Sequence, residues 1–365
     1  MKDNKYLIGY DIGSSSIKAA LVSVDNGRTI AIAHAPGTEM EIQAPHPGWA
    51  EQNPELWWSY VCQATHQLLS ESSIPSEQIA AVGIAYQMHG LVAVDQGGAV
   101  VRPSIIWCDG RAVPYGDRAF QDLGATTCLT HLLNSPGNFT ASKLKWVQDQ
   151  EPENYHRIHK IMLPGDYIAY RLTNKLTTTV SGLSEGTLWD FGLNEPAQIL
   201  LDYYGFDVKV LPELVPTVGV QGYISIEAAA ATGLPAGIPV GYRAGDQPNN
   251  ALSLNVLEPG EVAATGGTSG VVYAVVDQYI YDGESRVNGF AHVNHQADDP
   301  RVGILLCING AGILYSWIRK EIAPSGTSYQ EMENAAASVP VGADGLRILP
   351  FGNGAERMLS NQQTG

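Results

Sequence analysis

Short apolar runs broken by glycine open the chain, and helical spacing follows them. Residues 6–10, 17–24 and 29–34 are rich in β-branched and small apolar side chains, and Gly13 and Asn26-Gly27 punctuate them. That pattern predicts a three-stranded meander. After a loop-like stretch at residues 45–54, Asn53 is placed to cap a helix with Pro54 at its first position. Leu56, Trp57, Tyr60, Val61, Ala64 and Leu68 then recur at the spacing of one helical stripe. Residues 79–85, 91–94 and 104–107 read as strands, and residues 142–150 as a helix with Leu144 and Val147 on one face. Through residues 233–239 the composition shifts to Gly and Pro, and residues 240–245 form a strand ending at Asp246. From about residue 258 the strand-turn-strand pattern restarts, with strands at 262–265 and 271–276. The order predicts an α/β protein of two lobes, residues 1–254 and 255–365, with the boundary near residues 250–258.

Length and charge narrow the function classes. At 365 residues the chain is long enough for two cores, and 44% hydrophobic with 16% charged residues is ordinary for a soluble globular protein. The 21 Lys+Arg against 37 Asp+Glu leave a net charge of −16, which argues against nucleic acid and anionic membrane surfaces as partners. Phosphate ligands stay open, because a few local donors and a metal ion suffice for them. Cys62, Cys108, Cys128 and Cys307 form no Cys-x-x-Cys pair, so reduced thiols are expected and not a zinc site or disulfide scaffold. The first apolar run is cut short by Asp11, which fits a strand and not a signal peptide. No run approaches the ~18 apolar residues of a membrane span. A cytoplasmic protein is expected, and the sequon Asn138-Phe139-Thr140 is read as chance.

Two turns carry the candidate chemistry: Asp11-Ile12-Gly13-Ser14-Ser15-Ser16, and Gly266-Gly267-Thr268-Ser269-Gly270. Glycine admits the dihedrals that let backbone N–H groups converge on an anion, and no Cβ blocks the approach. Hydroxyls at Ser14, Ser15, Thr268 and Ser269 add donors without adding charge. One such turn in each half suggests a polyphosphate gripped between two lobes. Neither is a Walker loop, and no Gly-x-Gly-x-x-Gly opens a helix. Phosphoryl transfer needs a cradle, a divalent ion and a base. Asp11, at the mouth of the first turn, suits Mg²⁺, which takes one or two protein oxygens beside phosphate. Asp246 ends a strand near the presumed cleft, where it suits the base and a second metal-facing carboxylate. Lys18 is placed to contact phosphate. Singly, each has a plain structural reading: a turn-capping Asp, a solvated Lys, a satisfied His89. Their combination and order carry the weight.

Several ordered segments extend that pattern: DIGSSSIKAALV (11–22), PHPGWAEQNPELWW (45–58), FTASKLKWV (139–147), IMLPGDYIAYRLT (161–173), GDQPNNA (245–251) and ATGGTSGV (264–271). From Tyr6 to about residue 354 the chain resembles the FGGY family of carbohydrate kinases. The resemblance implies the two-lobed actin-like ATPase (ribonuclease H-like) fold, with ATP, Mg²⁺ and a sugar as ligands; homodimers are common in the family. It implies that Met88 and His89 contact the sugar, that Asp246 is the base and that Gln247 bonds a hydroxyl. Asp109 and Arg111 are implied to shape the sugar site. Gly13, Ser14, Ser15, Lys18, Gly267, Thr268 and Gly312 are implied to lie near the nucleotide. YQMHG (86–90) followed by IIWCDGR (105–111) is most similar to the xylulokinase members, which implies phosphorylation of D-xylulose to its 5-phosphate. Cys108 stands where an asparagine is expected, and Gln247 where Asn is frequent. Glycerol-specific members share Gly-Asp-Gln but carry Arg-Glu at Met88-His89, so L-xylulose, ribulose and glycerol stay as alternatives. Family members continue past residue 365 through a segment that holds the adenine. An incomplete second lobe is therefore expected, with a non-catalytic sugar-binding chain as the alternative.

Overall fold

The structure, a computed structural model, describes residues 5–267, 270–308 and 310–348. The candidate hydroxyls of Thr268 and Ser269 lie outside them.

The expected meander is present as strands Tyr6–Ile12, Ile17–Ser23 and Thr29–Ala35, paired antiparallel. Tyr6, Ile8, Tyr10 and Ile12 are buried, while Leu7 and Gly9 between them are exposed and Asp11 is half-buried. Period-two alternation thus puts Asp11 on the face opposite the apolar residues. The buried face packs on the helix Pro54–Ser72, whose Asn53 cap accepts the N–H of Glu55 at 3.0 Å. Trp57, Trp58, Val61, Ala64, Thr65 and Leu68 form its buried stripe. Leu56 does not belong to that stripe: it is 46% exposed, because it stands about 100° around the helix from Trp57. The helix at residues 142–150 is also present, as Thr140–Gln150, with Leu144 and Val147 buried.

Strand Tyr6–Ile12 pairs in parallel with Ile79–Tyr86, which pairs in parallel with Pro239–Gly245. An antiparallel strand, Val218–Tyr223, closes this sheet of six. The register places Ile12 beside Tyr86, and Tyr86 beside Gly245. Three strands far apart in sequence therefore end level with one another. The residues that follow them, Gly13, Gln87 and Asp246, emerge along one edge, at the carboxyl ends where open α/β sheets bind ligands. Asp246 does not end the strand as expected; it is the first residue of a helix, Asp246–Ser253. The expected strand at 104–107 is shorter, Ser104–Ile105, and Trp107 beyond it is 48% exposed.

The second strand-turn-strand unit is also present. Val262–Gly266 and Gly270–Val276 form a hairpin that joins Val302–Ile308 and Asn288–Ala291 in an antiparallel sheet of four. Among the described residues, no helix is long and apolar enough to cross a membrane.

Candidate active site

At the shared carboxyl edge lies a cleft of about 840 Å³. Its near wall is the first turn with Asp11 and Lys18, the segment Gln87-Met88-His89, and the helix start Asp246-Gln247. Trp107, Asn138 and Phe139 form one side, and Val271, Arg286, Asn288, Leu305 and Cys307 from the second sheet form the other. Both halves of the chain therefore bound one crevice.

The first turn is held by its carbonyl side. Gln52 Nε2 donates to the Ser14 oxygen at 2.7 Å, and the Met40 N–H donates to the Ser15 oxygen at 2.8 Å. A Cβ at Gly13 would stand 3.0 Å from the Ser16 oxygen that the Gly13 N–H itself uses, so the tight closure needs glycine. Lys18 Nζ lies 3.2 Å from Asp11 Oδ2, with both side chains at least 40% exposed. Such a pair is weak and parts readily.

Asp246 is the perturbed acid of the cleft. Burial, followed by the nearby charge of Asp11, raises its pKa to about 6. His89 carries a backbone φ of 62°, uncommon for a residue with a Cβ, and is clamped there. Its Nδ1 bonds the main-chain oxygen of Glu185 at 2.8 Å, and its own carbonyl accepts from Lys143 Nζ at 2.7 Å. Phe139 and Phe290 pack on the ring with centroids 4.7 and 5.4 Å away. Lys143 is fully buried, which lowers its pKa to about 7 despite the opposing charge of Asp109.

Of the residues singled out in the sequence, Asp11, Gly13, Ser14, Ser15, Lys18, Met88, His89, Asp246 and Gln247 come together on the cleft wall. Asp109 and Arg111 do not reach it; both are buried one layer behind. Arg111 Nη2 meets Asp109 Oδ2 at 2.6 Å, its Nη1 meets Glu51 Oε1 at 2.6 Å, and its guanidinium lies 3.8 Å from the Trp49 ring centroid. Their link to the cleft runs through Asn138, whose Nδ2 donates to the Asp109 main-chain oxygen. A motif match carries residue types but no side-chain direction, so a structural ion network reads like a substrate contact. Gly312 donates its N–H to the Gly267 oxygen at 2.9 Å, which ties the second turn to the helix Ala311–Trp317; neither glycine lines the cleft. Trp107, Asn138, Arg286, Asn288, Lys143 and Glu185 were not anticipated. Buried Lys143 sits inside the segment FTASK, which was the one available hint. Among the described residues, no group of three or more His, Cys, Asp or Glu is arranged to hold a metal.

The profile described as the FGGY family of carbohydrate kinases, N-terminal domain, matches residues 6–253. The chain belongs to the FGGY family of carbohydrate kinases. It is 30% identical over 357 residues to the xylulose kinase of Escherichia coli (strain K12), covering 98% of this chain and 71% of that protein. It is also 30% identical over 354 residues to the xylulose kinase of Bacillus subtilis (strain 168), covering 95% and 68%. The crystal structure of xylulose kinase from Rhodospirillum rubrum superposes with a TM-score of 0.85 at 28% identity, covering 95% of this chain and 70% of that one. The FGGY sugar-kinase fold expected from the sequence is thereby found, and the chain spans about 70% of these relatives' length.

Proposed function

We propose that this chain phosphorylates D-xylulose to D-xylulose 5-phosphate with ATP, in the cytoplasm. The observation that carries the reading is one cleft in which Asp246, its proton affinity raised, stands with Met88-His89 and the Gly13–Ser15 turn. The xylulose kinases at 30% identity support D-xylulose as the acceptor.

In this reading residues 1–254 hold the sugar and the base, and residues 255–365 close over the nucleotide. Met88 gives the sugar carbons an apolar wall, while His89, Gln247 and Asn138 offer polar partners to its hydroxyls. A site built on such partners rejects analogues that leave them unpaired. The Asp246 carboxylate takes the proton of the terminal hydroxyl as the hydroxyl oxygen attacks the γ-phosphorus and the bond to the bridging oxygen breaks, releasing ADP. The turn at Gly13, Ser14 and Ser15 receives the phosphates, with Lys18 released from Asp11. Gly267, Thr268 and Gly312 stay assigned to the nucleotide by the family resemblance, Thr268 lying outside the described residues. Asp11 and Asp246 repel one another along the near wall of the cleft, an arrangement that a divalent cation relieves, so they are the residues that would hold Mg²⁺. Bound there, Mg²⁺ supplies positive charge for the phosphate oxygens.

The test is Asp246→Ala, assayed by coupled ADP detection with D-xylulose, L-xylulose, ribulose and glycerol. We expect loss of D-xylulose-dependent turnover by about 10³-fold, with sugar binding still measurable by calorimetry. Retained turnover removes Asp246 as the base. A parent chain that binds D-xylulose but not ATP would be a sugar-binding chain without catalysis.

A further inference from the structure

Glu185 is a buried acid beside the cleft that the reaction above does not use. It ends the short helix Val180–Glu185 and is 1% exposed. Its main-chain oxygen bonds His89 Nδ1, its carboxyl group accepts the backbone N–H of His89, and the Tyr86 hydroxyl lies against it. On the other side, its Oε2 stands 2.5 Å from where a Cβ on Gly245 would be, so it abuts the residue before Asp246. Its Oε1 is buried without a hydrogen-bond partner. At that depth each polar contact counts, so the bonds to His89 fix where the carboxyl group sits.

We propose that Glu185 is a positioning residue for the phosphoryl transfer, a carboxyl group wedged between the segment that presents His89 and the residue that precedes Asp246. This rests on the reading of Asp246 as the base. Groups of both charges surround Glu185. Asp246 and Asp166 face it with negative charge. Arg243, from the strand Pro239–Gly245, is committed to Asp166, with Nε 2.8 Å from Oδ1. Lys143, from the helix Thr140–Gln150, is committed to the His89 carbonyl. Tyr86, from the strand Ile79–Tyr86, is itself held neutral by burial. Burial first, then the charges of Asp246 and Asp166, hold the Glu185 pKa well above its ordinary value.

The experiment is calorimetric titration of the 365-residue chain with D-xylulose from about pH 5 to pH 8, comparing parent, Glu185→Leu, Glu185→Gln and Asp246→Asn. Glu185→Leu removes the anchor of the His89 N–H, so sugar affinity falls about tenfold while ATP affinity stays put. Glu185→Gln, an amide of nearly the same shape, keeps an acceptor for the His89 N–H and recovers the affinity to within about threefold. Parent-like binding by the Leu variant overturns the proposal. So does a Gln variant that binds D-xylulose no better than the Leu variant. Should the Leu variant show no cooperative melt, Glu185→Ala takes its place. Asp246→Asn is expected to bind D-xylulose but to lose turnover in coupled ADP detection. Retained turnover sinks the base reading instead, whatever the Glu185 variants do.

Discussion

Alanine at Gly245 probes how tightly the base-bearing helix is packed on the sugar wall. The backbone there, φ −58° and ψ 158°, accommodates any residue, so the perturbation is steric. The new Cβ would stand 2.5 Å from Glu185 Oε2 and 2.6 Å from Met88 Cγ. Ordinary contacts are about 3.5–4.0 Å, so the overlap is roughly 1 Å on two sides. The main chain cannot give way easily, because Gly245 is in register with Tyr86 inside a parallel pair. Met88 and Glu185, 5% and 1% exposed, must move instead. Overpacking of this kind costs about 1–3 kcal/mol, and the lower entropy of the unfolded alanine chain returns about 0.4–1 kcal/mol. The net destabilisation is then about 0–2.5 kcal/mol, read by urea unfolding. A shift of about 1 Å at the sugar wall is enough to cost roughly 10²-fold in kcat/KM for D-xylulose. ATP affinity should hold, because the first turn is untouched. Coupled ADP detection over a sugar series reads the effect. Parent stability together with parent kcat/KM would show that Met88 and Glu185 do not abut the helix start.

Three further outcomes follow from the site and the ion pair behind it. Turnover should fall about tenfold per pH unit below about 6, as the Asp246 carboxylate takes up its proton, and a flat profile from pH 5 to 7 would contradict the assignment. The folded pKa lies above the unfolded value of 3.8, so the fold loses stability as pH rises from about 4 to about 6; Asp246→Asn should therefore stabilise it at pH 7.5, by about 1–3 kcal/mol in urea unfolding, and a destabilised variant would refute the sign. Arg243→Met strands a fully buried Asp166 and should cost about 3–5 kcal/mol, much of which Asp166→Leu should restore in the double variant; a loss below about 1 kcal/mol would show that the pair is not desolvated.

Much was decided locally. Period-two runs and their glycine breaks specify both hairpins, Asn53-Pro54 specifies where the first long helix starts, and alternation alone sets Asp11 against Tyr10 and Ile12. These follow from dihedral limits and side-chain periodicity, which act between near neighbours and so are written in the order of residues. The meeting of the first turn, Met88-His89 and Asp246 in one cleft was legible only as a resemblance. It arises from the parallel register of three strands whose ends fall level, a long-range pairing that no local pattern encodes. Tertiary packing alone decided that Asp109 and Arg111 lie behind the wall while Asn138 stands on it, since a charged side chain turns toward whichever partner the fold brings within reach. It also decided the proton affinity of Asp246 and the place of Glu185. Both depend on how much water is excluded and which charges face them, and those quantities exist only once distant segments are packed together.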